Sequence, residues 1–140
     1  MSLKIFVDSD VVISSIISLV GAAYFLVNSK NLTLFISNLS FLELKIVTER
    51  LNIDKSKLNE LIKKRFHTVQ LKGELGVLKE KYKDYVTDLN DAHIVAGATK
   101  AKVKFLISYN IKHFKVDKIK RDFNIIVTTP AHLLQYLRSI

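Results

Sequence analysis

The chain's 140 residues are 49% hydrophobic and 25% charged, which suits one domain (1–140) with a continuous core and excludes a disordered chain. With no cysteine, disulfides, a thiolate metal site and a cysteine nucleophile are all excluded. The net charge of +9 points to an anionic partner such as nucleic acid, or more plainly to a lysine-rich exterior.

Lys4 is the only charge before an apolar, β-favouring run, so residues 3–7 are expected to form a strand. Val11 to Ile17 suits a buried helix, Gly21 breaks it, and AAYFLVNS resumes as a second. LTLFIS at 32–37 reads as the next strand. LSFLELKIVTERL has helical spacing, with Leu39, Leu42, Ile46 and Val47 on one side. Asp54 is placed to cap KSKLNELIKKRF, whose Leu58, Leu61, Ile62 and Phe66 make an apolar stripe. TVQL reads as a short extended piece and GELGVLKEKYKDYV as another helix.

Thr87 or Asp88 caps LNDAHIVAGATKA, where Ala92, Ala96, Gly97 and Ala98 allow close approach to a sheet. VKFLIS (103–108) and FNIIVTT (123–129) read as strands, and Thr129 with Pro130 starts a final helix, AHLLQYLRSI. Strands alternating with helices imply an α/β sandwich with a mainly parallel sheet. The start, MSLKIFVDSD, lacks the apolar run of a signal peptide, and the stretch at 11–27 is broken by Ser14, Ser15, Ser18 and Gly21. A soluble cytoplasmic protein with no membrane association is therefore expected.

Acids stand beside apolar segments in three places: Asp8 and Asp10 after the first strand, Glu43 after the second, and Asp88 with Asp91 opening the small-residue helix. In a parallel α/β sheet, ligands bind beyond the carboxyl ends of the strands. Carboxylates converging there repel one another unless protons or a cation neutralise them, and oxygen ligands suit Mg²⁺ or Mn²⁺. Each acid also has a plainer use: Asp8, Asp10 or Asp88 as a helix cap, Asp91 in the capping-box position and Glu43 as a surface residue.

The order of these blocks resembles a PIN domain, close to the VapC-type toxins of prokaryotic toxin–antitoxin pairs. FVDSDVVISSII resembles the family opening, and ISNLSFLEL its second block, with Ser40 three residues before Glu43. DLNDAHIVAGA resembles the third block and FLISYNIKHF the fourth, while NIIVTTPAHLLQYL resembles the usual end. The resemblance implies a three-layer α/β/α fold and a divalent-metal-dependent endoribonuclease. It makes Asp8, Glu43 and Asp91 the catalytic, Mg²⁺- or Mn²⁺-binding acids, with Asn110, Asp10 and Asp88 as further metal-site candidates. Ser9, Ser40 and Ser108 would support these carboxylates as hydroxyl groups of an outer shell. It also implies a small antitoxin partner and a homodimer, with the stripe Leu58, Leu61, Ile62 and Phe66 as one candidate surface and ordinary core packing as the other use of it. Two departures stand out: Asn110 occupies the place of a fourth acid, and Asp10 replaces a usual asparagine.

The basic stretch at 100–121 sets Lys112 and Lys115 near Asn110, where they and His113 are candidates to hold RNA backbone, and Tyr109 to stack on a base. Lys63, Lys64 and Arg65 offer a second basic arm. His93 follows Asp91 by two residues on a buried helix, so it is expected on another face as a structural residue. Two further readings stand beside the nuclease. Asp8-Ser9-Asp10-Val11 also resembles the opening of haloacid dehalogenase-like phosphatases, and Asn110 allows a PIN domain that binds RNA or a protein without cutting.

Overall fold

The computed structural model describes residues 2–140. Five strands form one sheet: β1 (Leu3–Val7), β2 (Leu32–Ser37), β3 (Phe66–Val69), β4 (Phe105–Ile107) and β5 (Ile126–Thr128). Their order is β3-β2-β1-β4-β5, and every pairing is parallel rather than mainly so. Parallel neighbours need crossovers, which are supplied by α1 (Ser9–Ile17), α2 (Ala22–Val27), α3 (Asn38–Arg50), α4 (Lys55–Arg65), α5 (Leu75–Tyr82), α6 (Ala92–Ala101) and α7 (Val116–Phe123). The chain ends in α8 (Pro130–Ser139), where Thr129 accepts a hydrogen bond from the His132 N–H.

The alternation of strand side chains builds the layers. Ile5 and Val7 of β1, Leu34 and Ile36 of β2 and Ile107 of β4 point into a core shared with α1, α2, α4 and α8. Phe6, Leu106 and Val127 point the other way, against α6, α7 and Tyr82 of α5. Gly97 is where α6 meets this second face: a Cβ there would lie 2.6 Å from Phe6 Cζ. The small-residue helix therefore sits on the sheet for the reason its composition suggests.

Several boundaries and faces differ from the sequence expectations. Phe66 belongs to β3 rather than to the preceding helix, and α5 stops at Tyr82 with a 3₁₀ turn after it. The helix α7 lies in the lysine-rich stretch, with only Ile119 fully buried. On α3 the buried side is Ser40, Leu44 and Thr48, while Leu42 and Ile46 are exposed. The stripe on α4 is core: Leu58, Ile62 and Phe66 are buried with Leu61 packed against them, so it presents no surface to a second copy or an antitoxin. Among the described residues no helix is long and apolar enough to cross a membrane.

Candidate active site

After β2 and β3 are laid down on one side of β1, the chain crosses to the other side for β4. The crevice between the carboxyl ends of β1 and β4 is therefore a topological switch point, where ligands of such sheets bind. Asp8 stands at the end of β1 and Ser108 at the end of β4, tied by the Asp8 N–H donating to the Ile107 carbonyl at 2.9 Å. Asp8 caps α1, accepting from the Ser9 N–H at 2.7 Å and from the Ser108 hydroxyl at 2.8 Å. The capping role expected for it from sequence is filled, and the same residue lines the cavity at the strand ends.

Asp10, in the first turn of α1, turns its Oδ2 to the Tyr109 N–H at 3.1 Å and the Asn110 side-chain amide at 3.2 Å. Its Oδ1 is buried with no hydrogen-bond partner. Asn110, at the fourth-acid position, is therefore a donor to Asp10, and its backbone N–H donates to the Ser108 hydroxyl at 3.0 Å. On the opposite wall, Glu43 of α3 accepts from the Ser9 hydroxyl at 2.7 Å and meets His93 Nε2 at 3.3 Å. Asp91 ends the 3₁₀ turn Leu89–Asp91 before α6, and its Oδ2 lies 3.3 Å from His113 Nδ1. Asp88 caps that turn, accepting from the Asn90 N–H at 2.9 Å.

Asp8, Ser9, Asp10, Glu43, Asp88, Asp91, Asn110 and His113 all line one cavity of about 420 Å³, with Ile13 and Val47 as its apolar wall. Ser40 is not there: buried in the first turn of α3, it interacts with the capping Ser37 rather than with any carboxylate. Lys112 and Lys115 are exposed on the loop beyond Asn110, and Tyr109, 45% exposed, places its hydroxyl by Ser14. Arg65 is committed to the Val27 and Ser29 carbonyls at 2.7 Å each and leaves the second basic arm to Lys63 and Lys64. His93 lies on another face, as its offset of two residues from Asp91 predicts: it lines a neighbouring cavity with Leu39, Leu42 and Asn90 rather than this one, and it meets Glu43 of α3, which borders both.

Charge in the cavity is unevenly compensated. Burial, then the neighbouring Asp10 charge, pushes Asp8 up to about 7. Asp10 and Asp91 are also raised, each mainly by burial. Glu43 is lowered, chiefly by its hydrogen bond with His93. The donor chemistry fits a hard divalent cation: oxygen atoms on separate elements, an unpartnered Asp10 Oδ1, and carboxyl groups whose ionisation a positive charge would favour. Among the described residues, no three histidine or acidic side chains already converge as a closed ligand set.

A parallel α/β sheet with an acid-lined cavity at its switch point defines the class of protein. The chain matches the PIN domain family over residues 4–112, and it belongs to that family. Among solved structures it is similar to a toxin–antitoxin complex from Klebsiella pneumoniae, with a TM-score of 0.65 and 18% identity over 89% of this chain and 96% of that one. It is also similar to VapBC2 from Rickettsia felis bound to a DNA fragment from their promoter, with a TM-score of 0.61 and 17% identity over 91% and 98%. The family match sets the phosphatase resemblance aside. None of the curated proteins matches the chain.

Proposed function

We propose that this PIN domain is an endoribonuclease that uses Mg²⁺ or Mn²⁺ to hydrolyse RNA phosphodiester bonds in the cytoplasm, as the toxin of a toxin–antitoxin pair. The observation that carries this reading is the meeting of Asp8, Glu43 and Asp91, from three separate segments, around one cavity at the strand ends. These three would hold the cation, with Asp10, Asn110 and Asp88 beside them. A bound divalent ion would supply an activated water and stabilise charge on the phosphate oxygens. The Ser108 and Ser9 hydroxyls hold the Asp8 and Glu43 carboxylates, and both residues line the cavity. Lys112 and Lys115 would hold backbone phosphates at its mouth, His113 would stand beside them, and the exposed Tyr109 ring would accept a stacked base.

The two similar structures are toxin–antitoxin complexes, which supports a small antitoxin as partner here. With the α4 stripe buried, the exposed Leu42 and Ile46 of α3 and Leu75 and Val77 of α5 are the apolar candidates for contact with an antitoxin or with a second copy in a homodimer. The test is cleavage of a mixed single-stranded RNA pool with Mn²⁺, with Mg²⁺ and with EDTA, beside Asp8→Asn. Metal-dependent cutting that falls about a hundredfold or more in the variant is expected, since loss of a ligand exceeds loss of an outer-shell partner. Cutting that survives in Asp8→Asn contradicts the assignment. Absence of cutting by the unaltered protein, with RNA still bound, favours the non-cleaving reading that Asn110 raises.

A further inference from the structure

Every acid of the cavity is gripped by a neighbour, and Glu43 and Asp91 differ from the rest in having no backbone donor, Asp91 facing His113 alone. Asp8 and Asp10 are short side chains held by backbone N–H groups at the strand ends. Glu43 reaches in from a helix on a longer, freely rotating side chain that is 42% exposed, and no backbone donor holds it. An unrestrained glutamate there would sample rotamers that point to solvent. Two side chains prevent it: the Ser9 hydroxyl on Oε1 and His93 Nε2 on Oε2.

His93 itself has no freedom to do anything else. It is buried on α6, and its Nδ1 has no partner. A proton on Nδ1 would leave a buried N–H donor unsatisfied and would turn a bare Nε2 lone pair toward a carboxylate oxygen. The Nε2–H tautomer avoids both and makes His93 a donor to Glu43. We propose that His93 is a positioning residue, whose Nε2–H holds the Glu43 carboxylate turned into the cavity so that it can receive a divalent cation. The inference rests on the metal-site reading above and adds a residue to it that touches neither RNA nor metal.

The test is Mn²⁺ binding by calorimetry, without RNA, for the unaltered protein, His93→Leu, His93→Gln and each change made in a Glu43→Gln background. Thermal melts in EDTA check that each variant folds. Leucine keeps the volume and removes the donor; glutamine restores an N–H of similar reach. The expected result is about tenfold weaker Mn²⁺ binding for His93→Leu and recovery to within about threefold for His93→Gln. Neither change has further effect once Glu43 is glutamine. If His93→Leu does not fold, His93→Asn, an amide too short to reach Glu43, takes its place. A folded His93→Leu or His93→Asn that binds Mn²⁺ like the unaltered protein overturns the inference and leaves the metal site standing. So does a glutamine variant as weak as the leucine one. No Mn²⁺ binding by the unaltered protein removes the metal-site reading, and this inference with it.

Discussion

The cavity has two walls that manage negative charge differently. On the Asp8–Asp10 wall the donors are neutral backbone, hydroxyl and amide groups, burial is deep, and both carboxyl groups are raised, Asp8 to about 7. On the Glu43–Asp91 wall each acid faces an imidazole, His93 or His113; Glu43 is lowered, while burial still raises Asp91. The first wall is left wanting a positive charge and the second already has nearby nitrogen donors. A cation entering this cavity would therefore gain most from the strand-end wall, which makes Asp8 the residue whose loss should cost most.

That asymmetry sets the order of the expected effects. The largest is the loss of cleavage in Asp8→Asn. Next is stability without metal. Asp8 binds its proton more tightly when folded than its ordinary value of 3.8 allows, so its contribution is full below about pH 4 and is lost as pH rises through about 7. Metal-free unfolding should thus weaken by about 2–4 kcal/mol from this group between pH 4 and pH 8. Denaturant melts in EDTA should show that fall in the unaltered protein and a flatter profile in Asp8→Asn. Added Mn²⁺ should stabilise the unaltered protein more at pH 8 than at pH 5. A metal-free profile unchanged by Asp8→Asn would erase the difference between the walls.

A smaller effect tests how the walls are held at a fixed separation. Gly97 seats α6, which follows Asp91 and carries His93, on Phe6 of β1, which leads to Asp8. Gly97→Ala should destabilise by about 1–3 kcal/mol through overpacking and weaken Mn²⁺ binding as well, read by melts and calorimetry. The smallest concerns Asn110. Its amide donates to Asp10 at 3.2 Å, so Asn110→Asp would bring two carboxylates together and cost about 1 kcal/mol in EDTA, reduced by solvent screening at this exposed site. The exchange Asp10→Asn with Asn110→Asp should recover most of that loss, because one acid and one amide again face each other. Failure of the exchange to recover it would mean the two positions are independent.

The alternation of apolar strands with helices, the caps at Asp54 and Thr129, and the small-residue face of α6 are local properties, and they were legible as such. The buried face of a helix was harder to read. On α3 the spacing of Leu39, Leu42, Ile46 and Val47 marks one side, yet Leu42 and Ile46 are exposed. Periodicity shows that a helix has two sides without saying which side meets the core. For α3, the side carrying short hydroxyl residues, Ser40 and Thr48, is the one that sits inward.

For the site, the acids were visible because carboxylates beside apolar strands need a reason to be there. Two of their partners, the Ser9 and Ser108 hydroxyls, were named with them, and the rest were not. Asn110 at Asp10, His113 at Asp91 and His93 at Glu43 are contacts across 100, 22 and 50 residues of chain. By itself the sequence determined a parallel α/β protein with acids at its strand ends, since burial patterns and charge placement follow from neighbouring residues. Only the tertiary structure decided which donor faces which acid, because a hydrogen bond depends on ångström-scale distances that the folding of distant segments alone sets.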